Sequence, residues 1–97
     1  MGFVQIIEMT TTEIEQIRKL DDQWEAATEG KRTATRSIVT KDRDKPDTYL
    51  VIVEFPSYEA AQKNNDLPET SKFAEQIGGL TKSQSFRNLD VLDDNAL

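Results

Sequence analysis

Acid–base chemistry in this protein would depend on carboxylates, because its 97 residues include neither histidine nor cysteine. The absence of histidine excludes a Ser-His-Asp triad, the proximal ligand of haem and the usual general base near neutral pH. The absence of cysteine excludes thiolate nucleophiles, disulfides and cysteine-ligated metals. Glu54 and Glu8 are then the strongest candidate bases, since both interrupt runs of apolar residues.

Glu54 and Arg36 form the predicted catalytic pair, and each has a second interpretation. A desolvated Glu54 would act as a base, whereas an exposed one would form an ion pair with Arg36 or a neighbouring strand. Arg36 shares a strand face with Ala34 and Ile38, so its charge must be paired or reach solvent. It would hold a carboxylate or enolate of a ligand, or it would protect a sheet edge.

Aromatic and amide side chains supply the predicted ligand-binding set. Trp24 lies on the apolar face of a helix, where it packs in the core or dimer interface or forms the wall of a pocket for a flat ligand. The two adjacent asparagines interrupt a helix, so they cap its broken ends or bind a ligand carbonyl or hydroxyl. The predicted ligand-binding residues are Trp24, Tyr49, Asn64, Asn65, Phe86 and Arg87.

The charge balance argues against several partners. The chain has 12 basic and 18 acidic residues, a net charge of −6, which opposes binding to nucleic acid or an anionic membrane. Asp42, Asp44 and Asp47 alternate in a loop but lack the EF-hand pattern, so we expect no metal. We also expect no cofactor. No apolar run approaches 18 residues, and Glu8 comes too early for a signal peptide, so we expect a cytoplasmic protein.

The elements that must position these residues follow from hydrophobic periodicity. Strands are predicted over 2–9, 31–40, 49–55 and 81–92, with a frayed tail over 92–97 of a single domain, 1–97. One helix follows two Thr-x-x-Glu capping boxes and ends near Gly30, and the other begins at Ser57, breaks at 64–69 and restarts at Pro68. The order β-α-β-β-α-β predicts an α+β, ferredoxin-like fold. Its four-stranded antiparallel sheet has two helices on one face and the first and third strands in the centre.

The sheet face without helices predicts a partner. The first and third strands are apolar on both faces, so a monomer would expose a contiguous patch of several hundred Å². A second copy packed sheet against sheet would cover it, so we expect a homodimer through the open sheet face.

The stretch from Ser57 to Phe73 and the ending from Phe86 to Leu92 resemble the antibiotic biosynthesis monooxygenase-like proteins of the dimeric α+β barrel superfamily. The resemblance extends over the whole chain through its element order. It implies a barrel-like dimer with a pocket between sheet and helices in each protomer, for a polyketide-like aromatic or haem. The chain departs from the catalytic relatives where many of them have histidine, because Asn64 and Asn65 stand there and an amide cannot shuttle protons near neutral pH.

Three functions follow from these observations. The first is binding of a small aromatic or polyketide-like molecule, with cofactor-independent monooxygenase or isomerase activity. The second is a non-enzymatic dimeric module with a regulatory or structural role, which the missing histidine and cysteine favour. The third is the handling of haem.

Overall fold

The four predicted strands form one antiparallel sheet in the computed structural model, which describes residues 2–97. In chain order the elements are β1 (Phe3–Thr10), α1 (Ile14–Ala27), β2 (Arg36–Lys41), β3 (Thr48–Phe55), α2 (Tyr58–Asn65), α3 (Pro68–Gly78) and β4 (Ser83–Asp90). The strands lie in the order β2-β3-β1-β4. The ferredoxin-like fold and the central position of the first and third strands are therefore confirmed.

Alternation along the strands divides the sheet into two faces. Opposite pairs such as Phe3 with Phe55 and Met9 with Tyr49 lie on the face that the helices cover, here called the helix face. On it Met9 packs with Ile17 of α1 and Ile77 of α3. The face without helices, here called the open face, carries the apolar residues Val4, Ile6, Ile38, Leu50, Ile52 and Leu89.

The first helix is anchored by a threonine that the capping-box pattern does not use. The hydroxyl of Thr11 is fully buried; it accepts the Glu13 amide at 2.9 Å and donates to the Leu80 carbonyl at 2.6 Å. The residue at the N-cap position, Glu13, makes no side-chain capping bond, so the predicted boxes from Thr10 and Thr12 do not cap α1. One buried hydroxyl ties the start of α1 to the chain before β4.

The break between α2 and α3 lies where the sequence predicts it. The Ser57 hydroxyl caps α2 by accepting the Ala60 amide at 3.1 Å. The second segment restarts at Pro68, which suits a first-turn position because its missing amide proton has no partner there. The break turns the chain, so that α3 contacts α1 while α2 covers the end of β3.

Strands β2 and β4 are shorter than the predicted 31–40 and 81–92. Residues 31–35 are held by non-ladder bonds, since the Arg32 amide reaches the Thr28 carbonyl and the Thr33 amide reaches Asn64 Oδ1. After β4 the Val91 amide still bonds the Gly2 carbonyl, and no helix or strand follows it. Among residues 2–97, no helix combines the length and the apolar composition that a membrane crossing needs.

Candidate functional site

A cavity of about 340 Å³ lies between the helix face and the helices α1 and α3. Its wall is predominantly apolar, and its volume lies at the lower end of the range for small-molecule sites. The apolar lining residues are Ile7, Met9, Ile17, Trp24, Val39, Val51, Val53, Phe55, Phe73, Ala74, Ile77 and Phe86.

An aromatic pair forms one wall of the cavity. The indole Nε1 of Trp24 donates a hydrogen bond to Thr70 Oγ1 at 2.9 Å, which ties α1 to α3. The Trp24 ring lies 5.9 Å from the Phe73 ring at an angle of 30°. This bond and the ring packing limit rotation of the indole, so a flat face is held ready for a planar ligand.

The two adjacent asparagines have different roles in the geometry. Asn64 is buried, and its Oδ1 accepts the Thr33 amide at 3.3 Å, so it braces the segment before β2. Asn65 is exposed. Both line the cavity, and Phe86 of β4 lines it from the sheet. Of the predicted ligand-binding residues, the structure thus brings Trp24, Asn64, Asn65 and Phe86 together.

The remaining predicted residues lie elsewhere. Arg36 and Glu54 are cross-strand neighbours on the open face, with Arg36 Nη1 and Glu54 Oε2 3.7 Å apart; the Arg36 side chain is exposed and that of Glu54 is half-buried. Arg87 lies opposite Ile6 on the same open face. Tyr49 is on the helix face but packs against the Met9 cluster outside the cavity wall. Side chains alternate between the two faces along a strand, and those of Arg36 and Glu54 fall on the open face. The sheet therefore separates the predicted catalytic pair from the cavity.

Asp21 is the titratable residue of the cavity that the sequence analysis did not single out. It lines the wall together with Arg18 of the same helix. Burial raises the pKa of the Asp21 carboxyl to about 6, with smaller contributions from the neighbouring charges of Glu25 and Asp22. A signal was present in the sequence, because Asp21 lies four residues after Ile17 and three before Trp24, on the apolar stripe of α1.

The carboxylates of Asp21, Asp22 and Glu25 come within 4.8 Å of one another. Two of the three residues are exposed, and acidic groups at this spacing are common on helix surfaces. No other feature of the described residues points to a cation here, so we assign no metal to the cluster.

Many solved structures share this arrangement of sheet and helices. A mutant form of SnoaB, a cofactor-independent oxygenase from Streptomyces nogalater, has a TM-score of 0.81 at 13% identity, covering 96% of this chain and 95% of that one. The fold of this chain is that of the antibiotic biosynthesis monooxygenase-like proteins.

Two further structures agree with the monooxygenase-like fold. A Caulobacter crescentus protein assigned to the antibiotic biosynthesis monooxygenases has a TM-score of 0.81 at 10% identity, covering 95% of this chain and 91% of that one. A Deinococcus radiodurans protein with the same assignment has a TM-score of 0.77 at 14% identity, covering 100% and 98%. No protein-family model and no curated protein matches the sequence, so the likeness is one of fold.

Within this monooxygenase-like fold, the cavity supplies three kinds of interaction. Its aromatic and aliphatic wall can bury a planar hydrocarbon skeleton. Amide and hydroxyl groups from Gln5, Asn65 and Ser71 can hydrogen-bond a ligand carbonyl or hydroxyl. The partly buried carboxylate of Asp21 can accept a proton near neutral pH.

Proposed function

We propose that this protein binds a flat aromatic, polyketide-like molecule in the cavity and oxidises it with O2 without a cofactor. The observation that carries the proposal is the apolar cavity of about 340 Å³ whose wall includes the tethered Trp24 and Phe73. The monooxygenase-like fold adds support, because one structure with this fold is a cofactor-independent oxygenase.

Such a reaction needs no separate reductant when the substrate supplies the electrons. With 1-naphthol as a probe, one molecule of substrate and one of O2 give one molecule of 1,4-naphthoquinone and one of water. One oxygen atom enters the quinone and the other leaves as water. A site for this chemistry must hold the ring and remove the hydroxyl proton. The apolar wall of the cavity and the Asp21 carboxylate support these two roles. The same proton removal would serve an isomerisation in which the proton returns to another atom.

The proposal includes a homodimer formed through the open face. A central row of this face aligns Ile38, Ile52 and Ile6 on adjacent strands. From strand spacing and length the face measures about 500 Å², which is most of the roughly 800 Å² per partner of a standard interface. A second copy packed sheet against sheet would remove this apolar surface from water.

A non-enzymatic dimeric module is the second candidate. It is favoured by Asn64, whose Oδ1 already accepts the Thr33 amide, and by Arg36 and Glu54, which pair on the open face. Three polar groups that could have served a ligand therefore have structural partners. Under this alternative the protein would bind a ligand, or nothing, and turn nothing over.

Titration with 1-naphthol followed by Trp24 fluorescence tests the binding step, and oxygen uptake with ¹⁸O2 tests the reaction. A matched pair of variants controls for non-specific effects: Ala74→Leu inserts a larger side chain into the cavity wall, and Ala26→Leu adds the same atoms on the exposed side of α1. We expect Ala74→Leu to weaken binding at least tenfold and Ala26→Leu to leave it unchanged. Equal effects of the two variants would contradict binding in the cavity.

The two candidate functions give different results in that experiment. Turnover with one ¹⁸O atom in the quinone supports the oxygenase. Binding without oxygen uptake supports the non-enzymatic module. Native mass spectrometry of the freshly purified protein would show the dimer and any bound ligand, haem included.

A further inference from the structure

We propose that Asp21 is the proton acceptor of the cavity and takes the hydroxyl proton of the bound aromatic molecule. The inference rests on the proposed function and assigns a catalytic group to it.

The position of Asp21 sets it apart from every other candidate base. Among the described residues that line the cavity, it is the one carboxylate. Glu8 and Glu54, the bases that the sequence suggested, are cross-strand neighbours of Leu50 and Val4 on the open face. A ligand between helix and sheet can reach Asp21 without crossing the sheet, and it cannot reach the other two.

The surroundings keep the Asp21 carboxylate free to act on a ligand. On α1 the charged groups around it are Arg18, Asp22 and Glu25, with Glu15 and Lys19 beside them. Arg18 Nη1 lies 3.4 Å from Glu15 Oε1, so this guanidinium has an acidic partner of its own. The cavity-lining residues of α3 and of the sheet are all uncharged.

Partial burial also raises the proton affinity of the Asp21 carboxylate. Loss of hydration, together with the like charges of Glu25 and Asp22, raises the pKa of Asp21 to about 6. A base with that pKa is ionised at pH 7 and above, yet is stronger than a fully hydrated aspartate. Geometry and proton affinity therefore point to the same residue.

The proposed step balances without an added reagent. The hydroxyl proton of 1-naphthol passes to the Asp21 carboxylate, and the resulting naphtholate gives up electrons to O2 as a bond forms at the carbon para to its oxygen. Asp21 returns the proton to the peroxide oxygen. Loss of water, taken from the carbon-bound hydrogen and the terminal hydroxyl of the hydroperoxide, leaves the quinone and the ionised carboxylate.

The test compares wild-type protein with Asp21→Asn, which keeps the shape and removes the base, and with Asp22→Asn, which removes an exposed charge outside the cavity wall. We expect wild-type kcat/KM, which reports the ligand-free protein, to rise with a midpoint near pH 6. Asp21→Asn should lower kcat at pH 8 at least 100-fold and abolish the rise, while the Kd for 1-naphthol changes less than threefold. Asp22→Asn should keep the plateau rate within twofold and move the midpoint to lower pH. Wild-type rates in Asp21→Asn would overturn the proposal.

If 1-naphthol binds but does not react, a binding measurement tests whether its hydroxyl donates to Asp21. The carboxyl ¹³C resonance of Asp21 is followed with pH in complexes with 1-naphthol and with 1-methoxynaphthalene, which lacks the hydroxyl. A hydroxyl that donates to Asp21 stabilises the ionised form, so the midpoint should be lower with 1-naphthol than with the ether. Equal midpoints would overturn the proposal while leaving cavity binding intact. If neither compound changes Trp24 fluorescence, the proposed function fails and this assignment fails with it.

Discussion

Replacing Asp21 by asparagine should make the folded protein more stable, and the gain should appear as the pH rises above about 4. Folding moves this carboxyl out of water and raises its pKa from 3.8 to about 6. The native state therefore binds the Asp21 proton more tightly than the unfolded state does. Stability from this group is fully present below pH 3.8, falls as the pH rises from 3.8 to 6, and stays low above that range.

The size of the effect follows from the difference between the two pKa values. At 1.36 kcal/mol for each pKa unit, the full difference corresponds to about 3 kcal/mol. Asp21 is only partly buried, and solvent screens much of the interaction at such a site. We therefore expect a gain of about 1 kcal/mol in the free energy of unfolding of Asp21→Asn at pH 8, which corresponds to about 4–8 °C in Tm for a chain of this size.

Urea unfolding followed by Trp24 fluorescence at pH 4.5, 6 and 8 measures the change in the free energy of unfolding caused by Asp21→Asn. Protein concentration must be held constant, because association contributes to the stability of a dimer. The control is Asp94→Asn, which removes the same charge from the exposed C-terminal segment. We expect the gain in stability for Asp21→Asn to grow from about a third of its full value at pH 4.5 to its full value at pH 8, and no such trend for the control. A gain independent of pH, or a loss at pH 8, would refute the reasoning.

A stability gain of this kind has a functional meaning. Functional sites commonly contain residues that make the folded protein less stable than a neutral residue of the same shape would. If Asp21→Asn is more stable and also inactive, the two results together distinguish a catalytic carboxylate from a structural one.

Three other perturbations test separate parts of the structure. Thr11→Val should lower the free energy of unfolding by about 2 kcal/mol in urea titrations, because it removes the buried hydroxyl that donates to the Leu80 carbonyl and accepts the Glu13 amide; a change below about 0.5 kcal/mol would contradict this role. Ile52→Glu should yield folded monomers in native mass spectrometry, since it places a charge at the centre of the open face; persistent dimers would exclude that interface. Trp24→Phe should lose the bond to Thr70, cost about 1 kcal/mol and weaken 1-naphthol binding in calorimetry; unchanged affinity would remove Trp24 from the site.

Local chemistry explains which elements were predictable. Ser57 caps α2 and Pro68 starts α3 as the sequence indicates, because capping and the fixed proline φ act within a few residues. The sequence predicted the start of α1 near Ile14 but assigned its capping to Thr10 and Thr12. The hydroxyl that accepts the Glu13 amide belongs to Thr11, and it is held by its bond to the distant Leu80 carbonyl. Local patterns identify a helix start, but a buried hydrogen bond selects among adjacent threonines.

The candidate site separates the two sources of information most clearly. Residue order and two-sided apolarity alone determined the β-α-β-β-α-β fold, the central strands and the apolar open face. Alternation along a strand places Glu54 and Arg36 on one face of the sheet, but it does not say which face that is. The tertiary structure decided this, because only the packed helices define the face that encloses the cavity. The proton affinity of Asp21 was likewise decided there, since its desolvation depends on how closely elements distant in sequence pack around α1.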